Sequence, residues 1–255
     1  MTVQTVLDYL WELAPLSCKQ SWDNVGLLLG RSGAQVRRVL TALDLTAAVA
    51  EEAVRLDCQL IVTHHPAIFK GDKHVTDTDR LTLPELICLE NRIAVISMHT
   101  NLDCAPGGVN DVLAGLLGLH NIYALPDDPE PALIRVGTVE PCALPEFAAF
   151  VKKTLLCAGL RYADGGRPVR KVAVGGGSCI EFVDPILAAG CDTFVTGDVK
   201  YHQFLNAAAR GLNVVDAGHF GTENPVVGVI RAKLAQRFPE LEILLSAHGD
   251  CVRFL

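Results

Sequence analysis

Four short stretches gather residues that could do chemistry: "THHP" (63–66), "MHTNLD" (98–103), "TGDVKYH" (196–202) and "DAGHFGTE" (216–223). Their imidazoles and carboxylates are ligands for Zn, Mn or Fe, and none of the four offers a soft thiolate. A lone histidine in such a place is ordinarily a hydrogen-bonded strand end. Four clusters, each just after a run that reads as a β-strand, point instead to a metal centre. His64 and His65 are adjacent, and within a strand adjacent side chains face apart. Pro66 stops the strand and disfavours helical backbone at His65, so the chain turns there and the two imidazoles need not oppose each other. Two neighbouring imidazoles then suit two metal ions roughly 3.5–4 Å apart, as in two-metal hydrolases. Such ions repel, and Asp103 or Glu223 can bridge or cap them.

The elements that must position these residues read as alternating strands and helices. Strands are expected at 37–44, 58–63, 92–97, 133–140, 169–174, 192–196, 212–217 and 241–246. Helices are expected at 2–13, 46–56, 80–90, 108–117, 144–157, 180–189, 200–209 and 223–236. Continuous apolar strands separated by helices indicate parallel sheets covered on both faces. The expected fold class is therefore α/β. Two related α/β domains would carry mostly parallel sheets, with a dinuclear metal site in the cleft between them. The prolines and acids of "LPDDPEPAL" (125–133) read as a boundary. A first domain at 1–124 would carry His64, His65 and Asp103. A second at 125–255 would carry His219 and Glu223, with its C-terminal part able to pack back on the first.

The chain also resembles itself. "EEAVRLDCQLIVTHHPAIF" (51–69) lies over "DPILAAGCDTFVTGDVKYHQF" (184–204), and "AVISMHTNLD" (94–103) over "NVVDAGHFGTE" (213–223). The second pair each holds a histidine followed four residues later by a carboxylate: His99 and Asp103, His219 and Glu223. A degenerate duplication accounts for this, and so does the general likeness of βα units. If the repeat is real, related halves present equivalent strand ends, where open α/β sheets bind ligands. Gly197 and Asp198 then stand where the first half has its histidine pair, leaving that corner to substrate.

Bulk composition narrows the class. The chain has 255 residues, half of them hydrophobic and a fifth charged, which is a globular composition. A net charge of −7 argues against a broad nucleic-acid surface. Nine scattered cysteines without a CxxC argue against a disulfide framework and suit a reducing cytoplasm. The N-terminal stretch reads as an amphipathic helix rather than a signal peptide, and no apolar run reaches membrane-spanning length.

Together, "SWDNVGLLLG" (21–30), "THHPAIF" (63–69), "MHTNLD", "TGDVKYH" and "DAGHFGTE" closely resemble the NGG-interacting-factor-three-like, or YbgI-like, family. Its members are called GTP cyclohydrolase 1 type 2 homologues. The motifs span most of the chain in family order. The resemblance implies two divalent metal ions per subunit, of Zn, Fe, Mn or Ni, held by His64, His65, Asp103, His219 and Glu223. It also implies a homohexamer and a short form without an inserted central domain. Such a centre lowers the pKa of bound water from 15.7 towards ~7 and attracts anions. The implied function is a dinuclear-metal-dependent hydrolase, its metal-bound hydroxide attacking a small nucleotide-like or phosphate-containing substrate. The rival is a non-catalytic metal-binding scaffold or a regulatory partner-binding protein.

Other residues are weighed beside these. Glu223, His202 and Lys200 are the catalytic candidates: Lys200 could hold a phosphate and His202 serve as acid or base. Their bland reading is a polar helix N-terminus. His99 reads either as a group that hydrogen-bonds a ligand or as a plain structural residue. Asp23 and Asn24 suit a turn while Trp22 packs, although all three could flank the pocket. "GGGS" (175–178) reads either as a phosphate cradle or as tight-turn glycines.

Overall fold

The computed structural model describes residues 1–127 and 130–255. Two positions of the 125–133 boundary stretch, 128 and 129, lie outside the described residues. The chain forms two compact units: Met1–Ala105 with Val226–Gly249, and Pro106–Pro225 with Asp250–Leu255.

The first unit begins with α1 (Val3–Leu13), which buries Val3, Val6, Leu7 and Leu10 along one stripe. Thr2 caps it by accepting a hydrogen bond from the Thr5 N–H. Then come β1 (Gly26–Leu29), β2 (Arg38–Ala42), α2 (Ala47–Arg55), β3 (Leu60–Thr63), α3 (Leu83–Glu90), β4 (Ala94–Ser97) and the short α4 (Thr100–Cys104). Every residue of β3 and β4 is buried, so these strands read as unbroken apolar runs.

The second unit continues with α5 (Val109–Leu116), β5 (His120–Ala124), β6 (Arg135–Cys142), α6 (Leu144–Thr154), β7 (Arg161–Ala163) and β8 (Val169–Val174). It ends with α7 (Val183–Ala188), β9 (Thr193–Thr196), α8 (Tyr201–Ala209), β10 (Asn213–Asp216) and the short α9 (His219–Glu223). Its six-stranded sheet runs in the order β5, β6, β8, β9, β10, β7. The centre, β8 to β10, is parallel; β5, β6 and β7 join it antiparallel. Alternation along β8 covers both faces. Val172 and Val174 pack with Leu113, Phe147 and Val151, whereas Ala173 packs with Phe194, Ile186 and Val214. Burying each such large side chain contributes about 1.5–3 kcal/mol.

The chain then returns to the first unit through α10 (Pro225–Arg237) and β11 (Glu242–Leu245). β11 completes a five-stranded sheet in the order β1, β4, β3, β2, β11. Only β1 is antiparallel in it. Among the described residues, no helix is long and apolar enough to cross a membrane.

The sequence placed the boundary after 124. That boundary was approximate, with the C-terminal part free to pack back on the first domain: β5 pairs with β6, so residues 106–124 lie with the second unit, and 226–249 lie with the first. Three strands were not anticipated. β5 is exposed at all five positions, β7 has three residues, and β1 is a four-residue edge strand. α4 and α9 were read as loops; each is a single helical turn.

Candidate metal centre

In the first unit, β3 ends at Thr63, so His64 is the first residue past the ladder. The backbone N–H groups of His64 and His65 still donate to Leu43 O, at 3.2 and 2.9 Å. Thr63 Oγ1 donates to His65 O at 2.8 Å, and Ser97 Oγ accepts from Ala67 N at 3.1 Å, which pins the turn. Strand alternation has stopped here. The two imidazole centroids lie only 5.0 Å apart with planes at 43°.

Each ring is oriented through Nδ1. His64 Nδ1 donates to Met98 O at 2.8 Å and His65 Nδ1 to Asp44 Oδ1 at 2.6 Å. His99 Nδ1 donates to Asp23 Oδ1 at 2.8 Å. Carbonyls and carboxylates only accept, so Nδ1 carries the proton and Nε2 becomes the nitrogen offering a lone pair. The ligand atoms of His64, His65 and His99 lie within 4.8 Å of one another.

Asp103 sits on α4, four residues after His99, and is buried. Its Oδ1 is 3.5 Å from His64 Nε2. Asp23 anchors the start of this turn: it accepts from the Thr100 N–H at 2.9 Å and from the Thr100 hydroxyl. Burial alone would push the Asp23 carboxyl up. Hydrogen bonds from His99 and Thr100 outweigh that and hold it at about 2.

The second unit repeats the pattern with fewer donors. His219 and Glu223 lie one turn apart on α9, with Nε2 3.0 Å from Glu223 Oε2. His219 Nδ1 donates to Asp198 Oδ2 at 2.7 Å. Asp198 holds φ at +55°, a conformation that Asp and Asn tolerate better than most residues. The sequence left this corner to substrate; Asp198 in it supports His219. Gly197 lies against Gly218, where a Cβ would come within 2.8 Å of the His219 N atom.

"GGGS" gains a definite role. Gly176 N donates to Asn110 Oδ1 at 2.7 Å and Gly177 N to Thr222 Oγ1 at 3.0 Å, so these N–H groups serve the fold rather than a phosphate. Gly177 has φ +64°, and a Cβ on it would overlap Glu223 Oε1 and approach His219 Nε2 to 3.0 Å. The glycine is what leaves room for the donor pair.

These residues fit a divalent metal. A lone-pair nitrogen facing a carboxylate oxygen at 3.0 or 3.5 Å repels it unless a proton or a metal cation joins them. Donors about 2.1 Å from one ion lie about 3.0 to 3.4 Å apart for angles between 90° and 109°. Both pairs sit near that spacing. Lys200 and His202, by contrast, are exposed at the first turn of α8, where the Lys200 N–H donates to Gln203 Oε1 at 2.7 Å. The supporting carboxylate of Asp44 escaped sequence reading; its signal was an acid ending the strand beside the one that ends in the histidine pair.

A family model for Duf34/NIF3 (NGG1p interacting factor 3) matches residues 1–250. A Clostridium acetobutylicum protein named GTP cyclohydrolase 1 type 2 homolog is 35% identical over 240 residues, covering 92% of this chain and 90% of its own. A Streptomyces coelicolor protein of the same name is 38% identical over 233 residues, with 88% and 81% covered. The crystal structure of a hypothetical protein from Staphylococcus aureus matches with TM-score 0.93 at 28% identity, covering 100% and 99%. Reduced HcgD from Methanocaldococcus jannaschii matches with TM-score 0.85 at 27% identity, covering 97% and 98%.

Proposed function

The chain belongs to the Duf34/NIF3 (NGG1p interacting factor 3) family, and on that premise we propose that it is a dinuclear-metal-dependent hydrolase. Its substrate would be a small nucleotide-like or phosphate-containing molecule. His64, His65, Asp103, His219 and Glu223 form the ligand set for two divalent ions. One observation carries this reading: His64, His65 and His219 are each held at Nδ1, and His64 and His219 turn Nε2 to a carboxylate at 3.5 and 3.0 Å. Neither unit alone offers enough of these donors for two ions, whereas the five together do. Imidazole and carboxylate donors suit Zn, Fe, Mn and Ni alike.

When bound, two such ions supply Lewis acidity and a water of lowered pKa. The residues of the chain do the rest. Asp44 and Asp198 fix the tautomer and ring angle of His65 and His219, so that Nε2 is the nitrogen each would present to a metal. Asp23 and Thr100 hold the helical turn that carries Asp103. Lys200 and His202 are proposed to face substrate, Lys200 pairing with an anionic group and His202 exchanging a proton with the leaving group. Copies of the chain would assemble as a homohexamer in the cytoplasm.

The test screens metal-loaded protein against nucleotides and phosphoesters, with Glu223→Gln alongside. Turnover that Glu223→Gln abolishes supports the hydrolase. No turnover across the panel, with metal content and light-scattering mass unchanged in the variant, gives the protein to the scaffold reading.

A further inference from the structure

We propose that Trp22 and Phe69 form a stacking platform for the planar heteroaromatic ring of the substrate, beside the histidine cluster of the first unit. This rests on the metal-centre reading and narrows its substrate to a ring-bearing anion, such as a nucleotide. Trp22 is 58% exposed and Phe69 49% exposed. Their centroids lie 5.9 Å apart with planes at 75°. His99 completes a triangle, 6.1 Å from Trp22 at 72° and 6.2 Å from Phe69 at 88°. All three contacts are edge-to-face, the geometry that a ring quadrupole favours. His99 in turn lies 5.4 Å from His64 and 5.8 Å from His65. The aromatic pair is therefore one ring removed from the proposed ligands.

A large apolar ring held in water by a rigid scaffold calls for an occupant, and this scaffold is rigid. Beside Trp22, the Asp23 side chain is fully buried and locked to His99 and Thr100. Next in sequence, Asn24 Nδ2 donates to Ile68 O at 2.6 Å, tying the Trp22 loop to the residue before Phe69. Lys19 Nζ closes the same loop by donating to Gln20 O and Asp23 O. The two rings thus keep their mutual angle without burying themselves. A flat ring suits this corner because each stacking face is flat and electron-rich. An anionic tail on that ring would extend past His99 towards the cationic centre. A flexible aliphatic chain would gain less, since an imidazole and a buried carboxylate line the inner side.

The test measures binding to metal-loaded, full-length protein by calorimetry. The probes are GMP and AMP, against ribose 5-phosphate as the same anion without its ring. Either nucleotide should bind at least about tenfold more tightly than ribose 5-phosphate, the scale of one base–aromatic stack. Trp22→Ala and Phe69→Ala should each erase most of that difference while leaving ribose 5-phosphate affinity and metal content unchanged. Trp22→Phe should restore most of it. Equal affinities for nucleotide and ribose 5-phosphate overturn the platform, as does no measurable nucleotide binding. A Trp22→Ala protein that changes in mass by light scattering while keeping its ring preference also overturns it, giving the pair to a contact between copies. The two readings fail separately. Absent turnover with a Trp22-dependent ring preference removes the hydrolase alone, whereas turnover without that preference removes the platform alone.

Discussion

Gly177→Ala puts the metal reading under the most direct strain. Two costs follow from the structure. The backbone sits at φ +64°, where a Cβ costs about 1–2 kcal/mol. For a chain of this size that lowers the melting temperature by roughly 2–8 °C. The added Cβ would also overlap Glu223 Oε1, so the carboxylate must move from its place beside His219. Gly190→Ala isolates the first cost, because Gly190 has φ +77° but nothing within 4 Å of its would-be Cβ. After chelation Gly177→Ala should lose at least as much stability as Gly190→Ala. With metal added at ~100 times the wild-type Kd, wild type and Gly190→Ala should gain about 2.7 kcal/mol, or roughly 5–11 °C. Gly177→Ala should gain little, and elemental analysis should find it depleted. Equal metal content and equal gain in the two variants would refute the account of Gly177 as the space for the ligand pair.

Two further outcomes are expected. Asp198→Asn keeps a residue suited to positive φ but removes the charge holding His219; metal affinity should fall about tenfold by chelator competition, and unchanged affinity would detach Asp198 from the site. Glu85 is buried, and burial first, then the charge and hydrogen bond of Asp72, raise its carboxyl to about 7. The folded state therefore holds a proton that the unfolded state releases near 4.5, so stability falls as pH rises from about 4.5 to 7. Because Asp72 is solvent-exposed, a screened gain of about 2 kcal/mol is expected for Glu85→Gln at pH 8, and almost none at pH 4. Parallel pH melts of chelated wild type and variant that keep a constant offset would contradict it.

How much of this was legible follows from where each signal lies in the chain. "LIVT", "AVIS", "TFVT" and "NVVD" are buried at every position, so the inner strands announce themselves as apolar runs. The histidine pair was legible because Pro66 marks the end of strand alternation beside it. α4 and α9 were not, because five residues show no periodicity; yet a helical turn is what brings residues four apart close together on one face. The supporting carboxylates were hidden by distance: Asp23 and Asp44 lie 76 and 21 residues from the histidines they hold. "GGGS" was legible as a tight turn, but the need for glycine at 177 comes from Glu223, which no local pattern reveals.

The internal resemblance gains physical content at this point. In each unit a parallel strand pair, β3 with β4 and β9 with β10, is followed by a one-turn helix that sets a histidine, at or just before its first residue, and a carboxylate four residues apart. An antiparallel strand flanks the second of each pair, β1 on β4 and β7 on β10. The units differ at the turn after the first strand. His64 and His65 stand in one, Gly197 and Asp198 in the other. Position 197 cannot take an imidazole, because its Cβ would meet Gly218 and His219 backbone atoms at 2.8 Å. Asp198 then does locally for His219 what the first unit must bring from elsewhere, Asp44 for His65 and Asp23 for His99. One turn spends both residues as donors and borrows its supports; the other spends them on close packing and support. A single repeat can therefore yield unequal halves, one rich in imidazoles and one that supplies its own support.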